Sequence, residues 1–148
     1  VLRIPLAGGE GLPVADLLEH FIAGHLVDIV QPDIDMYGFT AGKWVLNACW
    51  THRVRLIPHT WAHTPIRIAA TMHWLACIRH EHGSYINPPS PLLELHPPHE
   101  SVCWDLTEEG FAVDPADGCI PLPNGPGLGI TVKPEKLAPI RFEKIEIA

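Results

Sequence analysis

Apolar residues follow two rhythms along this chain. Short runs at residues 2–7 (LRIPLA), 28–31 (DIVQ), 54–58 (VRLIP) and 92–95 (LLEL) alternate with longer stretches in which apolar positions recur every three or four residues. The first rhythm is that of buried strands and the second that of amphipathic helices. From Pro13 to about His25, Val14, Leu17, Leu18, Phe21 and Ile22 share one side, with Asp16, Glu19 and His20 opposite. Pro13 suits a first helical turn. Residues 34–39 read as a loop. Thr40 then caps a second helix through roughly His52, with Trp44, Val45, Ala48 and Cys49 inward. A third helix from Pro65 to about His82 turns Ile66, Ile68, Ala69, Met72, Leu75, Ala76 and Ile78 to the core. The order βαβαβαβ with right-handed crossovers predicts an α/β fold of four parallel strands.

Three of the strands end in a polar group: Glu10 after the first, Asp33 after the second and His59 after the third. The intervals are 23 and 26 residues, one βα repeat each. In a (β/α) barrel the C-terminal strand ends ring the active site, so this spacing points to a catalytic rim. Taken singly, Glu10 reads as a solvated loop acid and His59 as a histidine packed at a strand end. A carboxylate one repeat upstream of His59 favours the functional reading. A closed barrel takes about 250 residues, and this chain has 148, so it reads as a C-terminal portion of a larger protein. Beyond residue 96 the rhythm breaks. CIPLPNGPGLGITV calls for tight turns at Gly125, Pro126, Gly127 and Gly129 before a strand. RFEKIEIA alternates as an edge strand or a docked tail would.

The formal charge is −7, and no basic run is present, which argues against nucleic acid as a partner. No apolar stretch approaches the roughly 18–20 residues of a membrane span, and the N-terminus lacks a signal-peptide pattern. The expectation is therefore no membrane partner and a cytoplasmic location. Cys49, Cys77, Cys103 and Cys119 form no CxxC pair and read as buried thiols of a reducing compartment. His80, Glu81 and His82 read as the polar end of the third helix rather than a metal cluster. A transition-metal protein using the ten histidines is correspondingly disfavoured.

PLAGGE, VQPD, IPHTW, LLEL and DGCIPLPNGPGLGI, in this order and spacing, resemble the closing half of an enolase-superfamily barrel of the mandelate racemase group. The resemblance implies the C-terminal half of a TIM barrel. Residues 1–118 would supply strands five to eight, and residues 119–148 an irregular extension packed on an N-terminal capping region. It also implies that Glu10 is one of three carboxylates holding an essential Mg²⁺. Asp33 and His59 match the group's Asp/His dyad. Glu94 falls where a strand-eight glutamate bonds the substrate carboxylate, and Trp61, in the IPHTW motif, is a second substrate-binding candidate. One departure stands out: the usual Gly-Gly after the strand-six acid is here Gly38 and Phe39. The remaining metal carboxylates and a strand-two lysine base would lie upstream of residue 1.

The implied reaction removes a proton alpha to a carboxylate. A hard divalent cation offsets the enolate charge through oxygen ligands, and imidazole serves as acid or base near neutral pH, its tautomer fixed by a neighbouring carboxylate. Dehydration of a sugar acid is the leading expectation. Racemisation or epimerisation by the same dyad, and a non-catalytic truncated half-barrel, are the alternatives. The expected partners are a small carboxylate or sugar-acid substrate and, at full length, a second copy of the protein.

Overall fold

The computed structural model describes residues 4–13, 15–61, 63–78, 91–96 and 104–140. Three two-residue strands, β1 (Ala7–Gly8), β2 (Ile29–Val30) and β3 (Arg55–Leu56), form a parallel sheet in the order β1-β2-β3. Ala7 pairs with Ile29 and Ile29 with Arg55. Three helices follow the strands: α1 (Ala15–Ala23), α2 (Ile34–His52) and α3 (Pro65–Leu75). A short α4 (Pro134–Leu137) comes near the C-terminus. None of these helices is long and apolar enough to cross a membrane.

Backbone pairing runs past the strands toward the rim. The Gln31 N–H donates to Gly8 O (2.8 Å), Ile57 N–H to Val30 O (3.1 Å) and His59 N–H to Pro32 O (3.2 Å). The last of these sets His59 beside Asp33, at equivalent ends of adjacent parallel strands.

The apolar core lies in two clusters. Leu18 and Ile22 of α1, Val30, Ile34, Val45 and Cys49 of the β2–α2 region, and Val54, Leu56, Trp74 and Leu75 pack as one. Ile68, Ala69 and Met72 of α3 join Phe111 in the other, with Leu93, Leu95, Trp104, Ile120, Leu128 and Ile130 against them. The far segment of the chain is therefore seated on α3, and His73 Nε2 lies 3.1 Å from Leu128 O.

Several expectations need correction. Residues 91–96 form no strand, so the described sheet has three members rather than four. The physical reason is visible at Thr60, whose N–H donates to Glu94 Oε2 (2.7 Å) and whose hydroxyl donates to Glu94 O. The segment is tied to the end of β3 through a side chain, not through a ladder. Residues 34–37 form a helical turn directly after Asp33, which non-helical Gly38 (φ 65°, ψ 177°) joins at a kink to the rest of α2. Thr40 is therefore inside α2 rather than its cap. Trp44 is 68% exposed and Leu17 also faces out, whereas Val45, Cys49, Leu18 and Ile22 are buried as expected. Cys49 is buried, but Cys77 and Cys119 are exposed free thiols. The strand expected after the turns that end at Gly129 reduces to a single antiparallel bridge between Thr107 and Val132. His80 to His82, Cys103 and the 141–148 tail lie outside the described residues.

Candidate functional site

The rim site is built on Asp33, the residue that ends β2 and opens α2. Its side chain is 3% exposed, and a buried carboxylate must find donors or neutralise. It finds three. Gly11 N–H, in the turn after β1, donates to Oδ2 at 2.7 Å. His59 Nδ1 lies 2.8 Å from Oδ1, and Arg67 Nη2 also donates to Oδ1. Burial alone would raise the Asp33 pKa, but the Gly11 N–H, His59 and Arg67 outweigh it and hold the carboxyl below its ordinary range.

An ionised Asp33 can only accept hydrogen bonds, so the proton between it and His59 sits on Nδ1. His59 Nε2 is left as the atom that can exchange a proton. It faces Glu10, whose Oε2 is 3.4 Å away and whose side chain is 63% exposed. The three strand-end groups named from the sequence thus meet at one end of the sheet.

Glu94 and Trp61 sit beside that trio rather than in it. Glu94 is half-buried and reaches the site through Thr60, the residue after His59. Trp61 is half exposed, with its ring 5.5 Å from that of His96, which in turn meets Trp104 edge-on at 5.7 Å.

Three further groups at the site escaped the sequence reading: Asp35, His63 and Arg67. Arg67 Nη2 donates to Asp33 Oδ1 and to His59 O (2.9 Å), and Nη1 donates to Asp35 Oδ2 (3.1 Å). Nη1 is also 3.0 Å from His63 Nδ1, which must be unprotonated to accept. Burial first, and then the Arg67 charge, lower the His63 pKa, against opposition from Asp35 and Asp33. The available signal for Arg67 was a charge on the otherwise apolar inward face of α3.

Asp33, His59 and His63 present ligand atoms within 4.8 Å of one another, yet they do not suit Mg²⁺. That ion takes oxygen ligands, whereas this set offers two imidazole nitrogens and a carboxylate already paired with a guanidinium. Glu10 does suit it, as an exposed carboxylate on the rim with no Lys or Arg contact among the described residues.

The profile of the Enolase C-terminal domain-like family matches residues 1–136. The chain belongs to the enolase superfamily, in its mandelate racemase group. It is 30% identical over 140 residues to D-galactarolactone cycloisomerase from Agrobacterium fabrum, covering 94% of this chain and 36% of that protein. Among solved structures it resembles a provisionally assigned racemase from Roseobacter denitrificans, with TM-score 0.69 and 26% identity over 93% of this chain and 36% of that one. It also resembles an enolase from Gibberella zeae crystallised with magnesium, formate and sulfate, with TM-score 0.66 and 26% identity over 93% of this chain and 30% of that one. The chain thus spans about a third of the length of these relatives.

Proposed function

We propose that this chain contributes strands five to seven, the docked 91–96 segment and the acid/base dyad of a (β/α)-barrel enzyme that abstracts the proton alpha to a carboxylate. The observation that carries this reading is the 2.8 Å contact of His59 Nδ1 with Asp33 Oδ1, which leaves Nε2 facing the rim. Asp33 orients the ring and compensates the charge that His59 gains when it takes a proton. Glu10 is the residue of this chain that would hold Mg²⁺, which supplies charge compensation for the enolate when bound. Glu94 and Trp61 are proposed to flank the substrate, the glutamate near its carboxylate and the indole along its carbon chain.

The finer reading is dehydration of a sugar acid. His59 Nε2 takes the Cα proton to leave the enolate, and the β C–O bond breaks as the resulting imidazolium gives that proton to the departing hydroxyl, releasing water. The enol left behind tautomerises to a 2-keto-3-deoxy acid. A second reading is isomerisation without loss of water, and it is favoured by the 30% identity to a cycloisomerase.

The test is to incubate the native protein and Mg²⁺ with a panel of aldonic acids, aldaric acids and aldarolactones, and to follow products by NMR and mass. Loss of water with a new ketone supports dehydration. A product of unchanged mass supports isomerisation. Turnover of none of these acids would contradict the proposal. Glu10→Gln should weaken Mg²⁺ binding, measured calorimetrically, by at least the ~10–100-fold that loss of an outer-shell partner costs.

A further inference from the structure

We infer that Arg67 is a positioning residue for the dyad, acting through Asp33 to hold His59 in one orientation and one tautomer. This rests on the reading of Asp33 and His59 given under Proposed function. The geometry is specific. One terminal nitrogen, Nη2, donates to both the Asp33 carboxylate and the His59 carbonyl (2.9 Å), so it ties together the two members of the dyad. The other, Nη1, donates to Asp35 (3.1 Å) and lies 3.0 Å from His63 Nδ1.

The guanidinium is a planar fork whose donors point in fixed directions, and a lysine ammonium cannot reproduce that span. Arg67 sits on the first turn of α3, where Thr64 caps the helix and accepts from Arg67 N–H. The backbone is therefore anchored before the side chain reaches across to the end of β2. Its side chain is 7% exposed, and that of Asp33 is 3% exposed, so water does not readily substitute for either partner. Without the fork, Oδ1 of Asp33 would lose one of its two donors, and the carboxylate could rotate about its Cβ–Cγ bond away from Nδ1. His59 would then sample the Nε2–H tautomer, which cannot take a proton at the rim. His63 is positioned to keep Arg67 in place: its Nδ1 accepts from the guanidinium, and its ring meets that of His59 edge-on at 5.5 Å.

The experiment compares wild type, Arg67→Met and Arg67→Lys in the native protein. ¹⁵N NMR of the His59 imidazole, read where the ring is neutral, reports the tautomer without any substrate. Wild type should show Nδ1–H alone, Arg67→Met a mixture of tautomers, and Arg67→Lys an intermediate pattern. On an acid that the wild type turns over, kcat should fall by about 10–100-fold in Arg67→Met, with KM changed far less, and by a smaller factor in Arg67→Lys. If Arg67→Met does not fold, the lysine variant decides alone. Wild-type tautomer and wild-type kcat in a folded variant overturn the inference. An altered tautomer in a protein whose wild type turns over none of the acids upholds the positioning role and overturns the proposed function instead.

Discussion

Asp33 carries a charge in a place where water does not reach, and its three donors come from three different parts of the chain: the turn after β1, the end of β3 and the first turn of α3. Removing that carboxylate leaves the buried Arg67 guanidinium with the half-exposed Asp35 as its remaining carboxylate partner. Asp33→Ala is therefore expected to destabilise the chain by the ~3–5 kcal/mol typical of breaking a buried pair, measured by urea denaturation. The pH dependence has a definite sign. The folded-state pKa of Asp33 is depressed, so the unfolded chain takes up the proton first. Its stabilising contribution is complete above the unfolded value of about 4 and is lost as pH falls through the folded value. His63, also depressed, acts in the same direction, starting below its unfolded value of about 6.5. Stability should fall in two stages on acidification, and Asp33→Ala should diminish the lower stage, to which the depressed Asp105 and Glu109 also contribute. Asp33 and His59 were legible because each ends an apolar run at matching positions in a repeat. Arg67 was not, because an arginine inside PIRIAA follows no apolar periodicity, and only the fold shows that the inward face of α3 meets a carboxylate there.

The least legible element was α2. The sequence around Tyr37-Gly38-Phe39 reads as loop, yet Ile34 is buried at 2% exposure, and packing that side chain draws the chain into a helical turn directly after Asp33. Gly38 reconciles that turn with the rest of α2 by adopting φ 65° and ψ 177°, a combination open almost only to glycine. Gly38→Ala should cost about 1–3 kcal/mol in thermal or chemical denaturation, even though a Cβ there would meet nothing within 4 Å. Gly42 is the opposite case, a matter of space. A Cβ would sit 2.7 Å from Ile34 Cδ1 and 3.0 Å from Trp74 Nε1, while Trp74 donates to the Gly42 carbonyl at 2.9 Å. Gly42→Ala is expected to cost about 1–3 kcal/mol by overpacking. This close approach also explains Trp44. The face of α2 against the core runs through Gly42, Val45 and Cys49, and Trp44, one residue off that line, turns outward. The 92–95 segment departs from a strand for a related reason. An apolar run predicts burial, but whether it joins a ladder depends on free backbone donors, and the Thr60 N–H is taken by the Glu94 side chain.

At the scale of the whole molecule, the parallel sheet was legible from the order of runs and helices, and its three-strand extent was not. Among the described residues the outer edges of β1 and β3 lack a strand partner. Ile4, Leu6, Phe39 and Trp44 are exposed apolar side chains. Open strand edges and exposed apolar surface favour association, so the 148-residue chain should elute with a mass above 16.3 kDa in size-exclusion chromatography with light scattering. A clean, cooperatively unfolding monomer would count against this. The proposed removal of a proton alpha to a carboxylate gives the most direct test of the dyad. The native protein with Mg²⁺ and an acid it converts is placed in deuterated water, and the α-position is followed by ¹H NMR. Wild type is expected to remove the α-proton signal of that acid, and His59→Asn to slow this loss by about 10²–10⁴-fold while Mg²⁺ binding is retained. Equal rates of α-proton loss in wild type and His59→Asn would contradict a catalytic dyad.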